Sequence, residues 1–409
     1  MPHQTAHLPL VAPPKVGLSV PRLQRICDAM EKQIAANRMA GGLGLIARKG
    51  KIAYFESWGM ADKESGKAMW KDAIFRIYSM TKAITGVAAM MLYEEGLFAL
   101  SDPVSNFLPE FGKMRVAVER ADPATGKMVL IGTVPADSPI TMLDLFRHTS
   151  GFNYTGPHDE NGDWTYRKLG IEAVGGPIPL DEMVKRLSQA PLVHQPGTVW
   201  DYGLSTDVLG RVVEVLSGQP LDIFFAERIF KPLQMTDTAF YVPEAKWDRL
   251  TTLYMPNPDG TVQRVPGGPQ DSFRNPPVIL NGGGGLTSTA LDYAQFLQML
   301  LNGGVLNDER LLSPITVDLM RSDHLGDLPI IGGLLAAGHG FGLTFAVSRG
   351  PGRTGLLPPA GQYRWGGYAG TSFWIDPKEE MIGVFMIQIL GDLTKRLQFQ
   401  QLAYQAIVD

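Results

Sequence analysis

The sequence predicts an α+β fold, in which an antiparallel sheet is flanked by helices and carries an inserted, mainly helical domain. Two observations lead to this prediction: a hairpin pattern near each end of the chain, and a series of helical patterns between them. Strands at both ends with helices in the middle favour one sheet that the N- and C-terminal parts build together. With 409 residues, the chain is long enough for two packed units.

Each predicted hairpin joins two apolar runs across a turn. In the first, residues 43–47 and 52–55 flank a polar turn that contains Gly50. In the second, residues 371–375 and 381–387 flank the segment Asp-Pro-Lys-Glu-Glu, whose first two residues favour a turn. These four runs are the expected strands of the sheet.

Helical periodicity dominates the middle of the chain and returns at its end. Residues 180–187 and 208–216 are predicted helices, and Gly218 ends the second of them. A closing helix is predicted over residues 392–407, with Leu397 on its buried side. Three long polar or Gly/Pro-rich stretches are predicted to be loops: residues 119–138, 155–179 and 256–277.

These patterns also suggest where the domains divide. Residues 18–75 and 278–409 are predicted to form a discontinuous α/β domain. Residues 76–277 then form the mainly helical domain with its long loops, and residues 1–17 form an extended N-terminal segment.

Composition and charge exclude several classes of protein. Apolar residues make up 44% and charged residues 19% of the chain, as in ordinary globular proteins. The net charge is -4 and the Lys and Arg residues are scattered, so we expect neither a nucleic-acid partner nor an anionic membrane surface. The single cysteine, Cys27, cannot form an internal disulfide, and no Cys/His cluster has the spacing of a zinc site. We therefore predict no metal and no cofactor.

The first residues of the chain do not read as a targeting signal. Residues 1–16 include prolines and lack the continuous apolar core of a secretory signal peptide. No run of residues approaches the roughly 18 apolar positions that a membrane-spanning helix needs. We expect a cytoplasmic protein that has no membrane span.

The tetrapeptide Ser79-Met80-Thr81-Lys82 is the most informative motif. A helix that begins here places Ser79 and Lys82 on one face, because three residues are almost one helical turn. The Lys82 amine is then expected to reach the Ser79 oxygen and to act as its base. Residues 83–96 are apolar on every side until the last turn, which predicts a buried helix. Burial and the positive end of the helix dipole both disfavour the ammonium form of Lys82.

Two further motifs follow the first in order along the chain. Residues 200–205 read Trp-Asp-Tyr-Gly-Leu-Ser, and residues 363–368 read Tyr-Arg-Trp-Gly-Gly-Tyr. Residues 145–151, Leu-Phe-Arg-His-Thr-Ser-Gly, and residues 281–288, Asn-Gly-Gly-Gly-Gly-Leu-Thr-Ser, add to the pattern. With these motifs, residues 41–388 resemble the serine β-lactamase and penicillin-binding-protein superfamily, and within it the class C-like family VIII serine carboxylesterases.

The resemblance implies the β-lactamase/DD-peptidase-like fold and a role for four residues. Ser79 would be the nucleophile, and Lys82 and Tyr202 together would move its proton. The amides of Ser79 and Tyr368 would form the oxyanion hole, whose donors bind the charge that develops in the transition state.

The third motif departs from that of β-lactamases. Trp365-Gly366-Gly367 stands where those enzymes carry Lys-Thr-Gly, whose cation helps to bind the substrate carboxylate, and Leu204 stands where they carry Asn. Trp-Gly-Gly is the esterase pattern of the family, and two glycines allow a backbone to approach a ligand closely. We expect Trp365, Gly366 and Gly367 to bind substrate, neutral acyl groups to be favoured, and β-lactam turnover to be slow or absent.

Aromatic residues after the His-Thr-Ser-Gly segment are candidates for the wall of the substrate pocket. Phe152 and Tyr154 are predicted to bind substrate, and Trp164 and Tyr166 are further candidates, although a loop that packs on the core would need the same residues. His148 is interpreted as part of a structural turn and not as a partner of a catalytic serine. No Gly-x-Ser-x-Gly sequence occurs, so the nucleophile elbow of α/β-hydrolases is absent.

The sequence thus predicts a serine carboxylesterase that hydrolyses short-chain acyl esters through an acyl-enzyme on Ser79 and that allows weak, promiscuous β-lactam hydrolysis. The alternatives within the enzymes are a β-lactamase, an amide hydrolase of the D-amino peptidase type and an acyltransferase. The alternative outside them is a penicillin-binding-like domain that binds ligands without turnover, against which Ser79, Lys82 and Tyr202 together argue. The physiological substrate, the acyl chain length and the oligomeric state stay open.

Overall fold

Helices and strands occur where the main sequence patterns predict them, and shorter elements lie between them. The computed structural model describes residues 8–267 and 273–409. The helices in those ranges are α1 Val20–Ala35, α2 Thr81–Glu94, α3 Met142–Phe146, α4 Thr165–Lys168, α5 Leu180–Leu187, α6 Ser205–Ser217, α7 Leu221–Phe225, α8 Ala290–Leu301, α9 Pro314–Met320, α10 Pro351–Thr354 and α11 Lys395–Tyr404. The strands are β1 Gly41–Arg48, β2 Lys51–Asp62, β3 Lys67–Ala68, β4 Phe75–Arg76, β5 Arg115–Ala121, β6 Met128–Pro135, β7 Tyr254–Pro256, β8 Val262–Arg264, β9 Thr287–Ser288, β10 Val305–Leu306, β11 Glu309–Arg310, β12 His339–Phe341, β13 Ala346–Ser348, β14 Tyr363–Gly366, β15 Ser372–Asp376 and β16 Met381–Met386.

The two ends of the chain build one antiparallel sheet, as predicted. Its strand order is β12-β13-β14-β15-β16-β1-β2-β3. The N-terminal hairpin turns at Lys49 and Gly50, whose positive φ angles of 54° and 71° match the twist of a tight hairpin. Strand β1 then pairs with β16, so that Leu43 lies opposite Met386. Both predicted hairpins are confirmed.

Helices cover both faces of this sheet, and side-chain alternation divides the core accordingly. Leu45 and Phe373 join the core that contains α2 and α8, whereas their chain neighbours Ile46 and Trp374 join the core that α1 and α11 close. Successive residues of a strand point to opposite faces, which explains the division. The same alternation later decides which residues of β14 face the nucleophile.

Helix α2 lies inside the helical side of the molecule. Every residue from 81 to 92 is buried, and α2 packs against α6. Gly96, with a φ of 76°, allows the chain to turn away beyond the helix. The predicted buried helix is therefore confirmed.

Several predictions for loops and for the closing helix need correction. Residues 119–138 are not all loop, because β5 and β6 pair as a hairpin, with Val116 opposite Val134. That hairpin stands apart from the main sheet, and most of its residues are exposed or half-buried even though many of them are apolar. Leu397 is 39% exposed, while Phe399 fills the core position of α11.

Shorter elements interrupt the other two predicted loops. Within residues 155–179, α4 forms one helical turn. Within residues 256–277, β8 pairs with β7, and residues 268–272 lie outside the described part. Of the predicted extended segment 1–17, residues 1–7 lie outside it as well, and Pro13–Val16 form a 3-10 helix. The division into two domains stays a prediction.

No helix within the two described ranges is both long enough and apolar enough to cross a bilayer.

Candidate active site

Ser79 lies where a short 3-10 turn becomes helix α2. The turn spans Tyr78–Met80, and the α-helix begins at Thr81. Tyr78 has a φ of 42°, which is unusual for a side chain of its size. The hydroxyl of Tyr293 donates a hydrogen bond to the carbonyl oxygen of Met80 at 2.8 Å. These constraints hold Ser79 at the wall of a cavity, while the following residues of α2 are buried.

Lys82 is fully buried one turn further along α2. Its Nζ donates to the Tyr154 hydroxyl at 3.0 Å and to the Gly283 carbonyl oxygen at 2.7 Å. Ser79 Oγ is not among its hydrogen-bond partners in the part of the chain that the structure describes. The direct hydrogen bond between Ser79 and Lys82 that the motif predicted is therefore absent among the described residues.

Tyr202 completes the cluster from the loop before α6. The Lys82 Nζ lies 4.8 Å from the centre of the Tyr202 ring. The Tyr202 hydroxyl accepts a hydrogen bond from Nε1 of Trp365 at 3.0 Å. The rings of Tyr154 and Tyr202 meet edge to face, with their centres 5.4 Å apart. Motif residues that are far apart in the sequence are thus brought together around one ammonium group.

Asp207 is a functional candidate that the sequence reasoning missed. It is fully buried on α6, and its Oδ1 accepts hydrogen bonds from the Gly283 amide at 3.0 Å and from the Asn281 side chain at 3.2 Å. Its Oδ2 is buried and has no hydrogen-bond partner among the described residues. The usable signal was a carboxylate within a helix whose neighbouring residues are apolar, since buried acids are rare.

Gly283 links the aspartate to the lysine. Its amide binds Asp207 and its carbonyl oxygen binds Lys82. A Cβ atom at Gly283 would lie 2.4 Å from Oδ2 of Asp207 and 3.0 Å from Nζ of Lys82. The Gly-rich segment of residues 281–288 therefore brings the two charged groups together.

The charge state of Lys82 differs from the expectation. Burial alone would lower the pKa of Lys82, but Tyr154, Tyr202 and Asp207 outweigh burial and raise its pKa above the ordinary value. Burial raises the pKa of Asp207, and the nearby Lys82 opposes that rise. We conclude that the ammonium form of Lys82 is stabilised, because polar partners replace the water that it lost.

His148 supports the cluster and is not charged. It is buried with a φ of 56°, and its ring centre lies 4.7 Å from that of Tyr202. Burial, and then the charge of Lys82, lower the pKa of His148 well below its usual range. A neutral ring under Tyr202 fits the interpretation of this segment as a structural turn.

The third motif lies against the residues that precede Ser79. Gly367 packs so closely that a Cβ atom there would lie 2.4 Å from the carbonyl oxygen of Ile77. The ring of Tyr368 meets that of Tyr78 edge to face, and Tyr368 and Ser79 line the same cavity. The assignment of the Ser79 and Tyr368 amides to an oxyanion hole stays a prediction.

The cavity that Ser79 opens into has a volume of about 650 Å³. The predicted substrate-binding residues that line it are Tyr154, Trp365, Gly366 and Gly367. Phe152 does not line it and needs correction, because its side chain is buried against Phe111 in the core, with ring centres 5.5 Å apart.

The remaining two aromatic candidates also lie away from this cavity. Tyr166 is buried beneath Gly156, where a Cβ atom would lie 2.5 Å from its ring. Trp164 is 42% exposed and lies over the His158 ring. Both residues therefore pack within their own loop and do not form the wall of the substrate pocket.

The fold and the Ser-x-x-Lys site define a class of protein, and comparison with known proteins identifies the family. The chain belongs to the Beta-lactamase family, whose model matches residues 27–405. Esterase EstB of Burkholderia gladioli is 31% identical over 370 residues, which cover 86% of each protein. The lovastatin esterase of Penicillium rubens is 32% identical over 80% of this chain and 83% of its own length.

A solved structure leads to the same class. The structure described as EstCE1, a hydrolase with promiscuous acyltransferase activity, has a TM-score of 0.78 and 27% identity, and the match covers 94% of this chain and 99% of that one. The resemblance to β-lactamase-like serine esterases is thereby confirmed. The protein is a serine hydrolase with an esterase-type activity.

Proposed function

We propose that the protein is a carboxylesterase that hydrolyses short-chain acyl esters through an acyl-enzyme on Ser79. One observation carries this proposal: Ser79 and Tyr202 line one cavity, and the buried ammonium of Lys82 lies beside the Tyr202 ring. The esterases among its relatives support the same reaction class.

The first half of the reaction forms the acyl-enzyme. Ser79 Oγ attacks the ester carbonyl carbon while its proton passes to the Tyr202–Lys82 pair. Because Lys82 is held as a cation, it stabilises negative charge on the Tyr202 oxygen better than it accepts a proton itself. The hydrogen bond from Trp365 stabilises the same charge.

The acyl-enzyme is complete once the C–O bond to the alcohol breaks and the leaving alkoxide takes the proton that Ser79 gave up. The second half releases the acid. A water molecule attacks the acyl carbon while the same pair takes a proton from the water, and as the bond from the acyl carbon to Ser79 Oγ breaks, the pair returns that proton to Ser79.

The key test replaces the nucleophile. Ser79→Ala should abolish hydrolysis of p-nitrophenyl butyrate and leave the melting temperature nearly unchanged, because only one hydroxyl is lost. Intact-protein mass spectrometry should show a fluorophosphonate adduct on the wild type and on the exposed-serine control Ser101→Ala, and none on Ser79→Ala. Adduct formation on Ser79→Ala, or full activity of that variant, would show that another residue is the nucleophile.

A comparison of substrates separates an esterase from a β-lactamase. The cation that binds a β-lactam carboxylate is replaced by Trp365, and such a charge-assisted contact contributes roughly 1.5 to 3 kcal/mol. The buried Leu204 replaces a further polar contact. We expect kcat/KM for p-nitrophenyl acetate or butyrate to exceed that for nitrocefin by at least about a hundredfold. Equal values would instead favour a β-lactamase.

Transfer of the acyl group to an alcohol is a second candidate, which the similarity to EstCE1, a hydrolase with promiscuous acyltransferase activity, favours. It shares the acyl-enzyme with hydrolysis and differs only in the second nucleophile. Rates of p-nitrophenol release and of acid formation, measured with increasing added alcohol, distinguish the two. An acyltransferase forms ester in place of acid, whereas a strict hydrolase continues to form acid.

A further inference from the structure

Two arginines also line the cavity that contains Ser79. Arg364 belongs to β14 and Arg396 to α11, and both line the cavity together with Gln400. Neither residue belongs to the cluster around Lys82. Their charges therefore need a separate explanation.

The cavity reaches these arginines around an open strand edge. Strand β14 pairs with β13 only through Tyr363 and Arg364, so Trp365 and Gly366 have no strand partner on that side. Trp365 faces Tyr202, whereas Arg364 lies opposite Trp374 on β15 and shares its face of the sheet, toward α11. The cavity is thus lined by residues of both faces.

Gly366, in the Trp-Gly-Gly motif, is in close contact with Arg396. A Cβ atom at Gly366 would lie 2.3 Å from Nη1 of Arg396. The guanidinium therefore packs directly over the middle residue of the Trp-Gly-Gly motif. Any larger residue at Gly366 would displace Arg396 from the cavity.

No acidic side chain among the described residues forms an ion pair with Arg364 or Arg396. Nη1 of Arg364 donates to Oε1 of Gln400 at 3.1 Å. Within residues 8–267 and 273–409 the guanidinium of Arg396 makes no hydrogen bond. Asp392 lies near Arg396, but its carboxylate pairs with Lys395.

The surroundings of both guanidinium groups are unfavourable to charge. Burial, and then the neighbouring Arg396, lower the pKa of Arg364 to about 10. Burial lowers the pKa of Arg396 as well, although Tyr202 and Asp392 oppose the shift. By contrast, the buried Arg48 pairs with both Glu379 and Asp409. Arg364 and Arg396 are half-buried, and charges that are largely withdrawn from water are normally paired. A cavity lined by two cations that have no ion pair among the described residues is therefore suited to an anion from outside.

We propose that Arg364 and Arg396 form a carboxylate-binding subsite, and that the preferred substrates are esters that carry a free carboxylate several atoms away from the ester carbonyl. This inference rests on the proposed esterase function and names its substrate class. Guanidinium groups bind carboxylates with paired, charge-assisted hydrogen bonds. Because Arg364 and the Tyr202-facing Trp365 lie on opposite faces of β14, we expect a carboxylate next to the ester carbonyl at Ser79 not to reach the arginines. The preference should therefore appear only when a spacer chain separates the two groups.

The test compares charged substrates with neutral substrates of the same length. Mono-p-nitrophenyl esters of succinate, adipate and suberate are measured against the same compounds with the far carboxylate methylated. For the wild type we expect kcat/KM to favour the free acid by at least about tenfold for adipate or suberate, as one charge-assisted contact allows, and not for succinate. A ratio near one at every chain length would overturn the proposal.

Variants then locate the subsite. In Arg396→Met and Arg364→Met the ratio of acid to methyl ester should fall to about one, and Arg396→Lys should keep part of the preference. The control Arg120→Met changes an exposed arginine of β5 and should keep the wild-type ratio. If both Met variants keep the full preference, the arginines do not bind the carboxylate. Acetate esters of hydroxybutyrate and of its methyl ester show whether the carboxylate belongs to the alcohol side instead.

A binding measurement separates this inference from the esterase proposal. Calorimetry with Ser79→Ala, which needs no turnover, should show binding of monomethyl adipate, weaker binding of dimethyl adipate, and loss of the difference in Ser79→Ala/Arg396→Met. Equal binding of the two adipates overturns the subsite even if esters are hydrolysed. Hydrolysis that survives in Ser79→Ala overturns the esterase mechanism and leaves the binding result to decide the subsite.

Discussion

Two groups of cations lie at the cavity, and they are built differently: the fully buried Lys82 lies behind Tyr202, and the half-buried Arg364 and Arg396 line the cavity itself, at what we call its arginine end. Lys82 has a carbonyl oxygen, two phenol rings and a nearby carboxylate around it. Arg364 and Arg396 have one glutamine amide between them and no carboxylate partner in the described part of the chain. The fold therefore compensates the charge of Lys82 internally, which suits a group with a fixed place in the chemistry. The arginine end lacks an anion, which suits a group that binds one.

We expect the largest loss of activity when Lys82 or its partner Tyr202 is replaced. Lys82→Ala and Tyr202→Phe should each lower kcat by at least about a hundredfold, the usual scale for loss of a proton-transfer group. The double variant should be little slower than either single variant, because the two residues act as one unit. Steady-state rates on p-nitrophenyl butyrate test this, with Tyr241→Phe, an exposed tyrosine, as control. Losses that multiply would show that the two residues act separately.

Removing the carboxylate behind Lys82 should have a smaller effect. Asp207→Asn keeps the shape of the side chain but removes its charge, so the pKa of Lys82 should fall and the ammonium group should be held less firmly. We expect kcat to fall by about tenfold, which is the ratio that 1.4 kcal/mol of lost stabilisation gives. Asp376→Asn, which changes a buried carboxylate bonded to Tyr404, is the matched control for stability. Wild-type kcat in Asp207→Asn would show that the fold, and not the carboxylate, sets the state of Lys82.

The surroundings of Lys82 and the arginine end also differ in how far the sequence predicts them. Ser79, Lys82, Tyr202 and Trp365 lie in short motifs whose order and residue types suffice to recognise them, and all four meet at one site. The hairpins and the buried helix were predictable for the same reason, since local periodicity determines them.

Contacts between distant segments were not predictable. The hydrogen bond from Lys82 to Tyr154 joins residues 72 positions apart. Arg396 contacts Gly366 from helix α11, whose sequence pattern predicted only that a leucine face is buried. Phe152 shows the converse error, because an aromatic residue near a motif fits the core as well as a pocket, and only tertiary packing decides between them.

The smallest expected effect is a shift in the pKa of His339, which reports on the charge of Arg364. Nδ1 of His339, on β12, donates to the Ala336 and Ala337 carbonyl oxygens. Burial, then Arg364, and also Arg349 lower the pKa of His339 to about 4. Since the folded protein takes up this proton only near that pH, while the unfolded chain takes it up near its ordinary value, His339 makes the fold less stable as the pH falls from about 6.5 to about 4. Arg364→Met should raise the pKa of His339 and reduce this acid sensitivity, and bound monomethyl adipate should raise the pKa in the wild type by neutralising the same charge. NMR titration of the His339 ring measures both shifts. An unchanged titration in Arg364→Met would mean that burial alone keeps His339 neutral, and that the positive potential of the arginine end does not extend to β12.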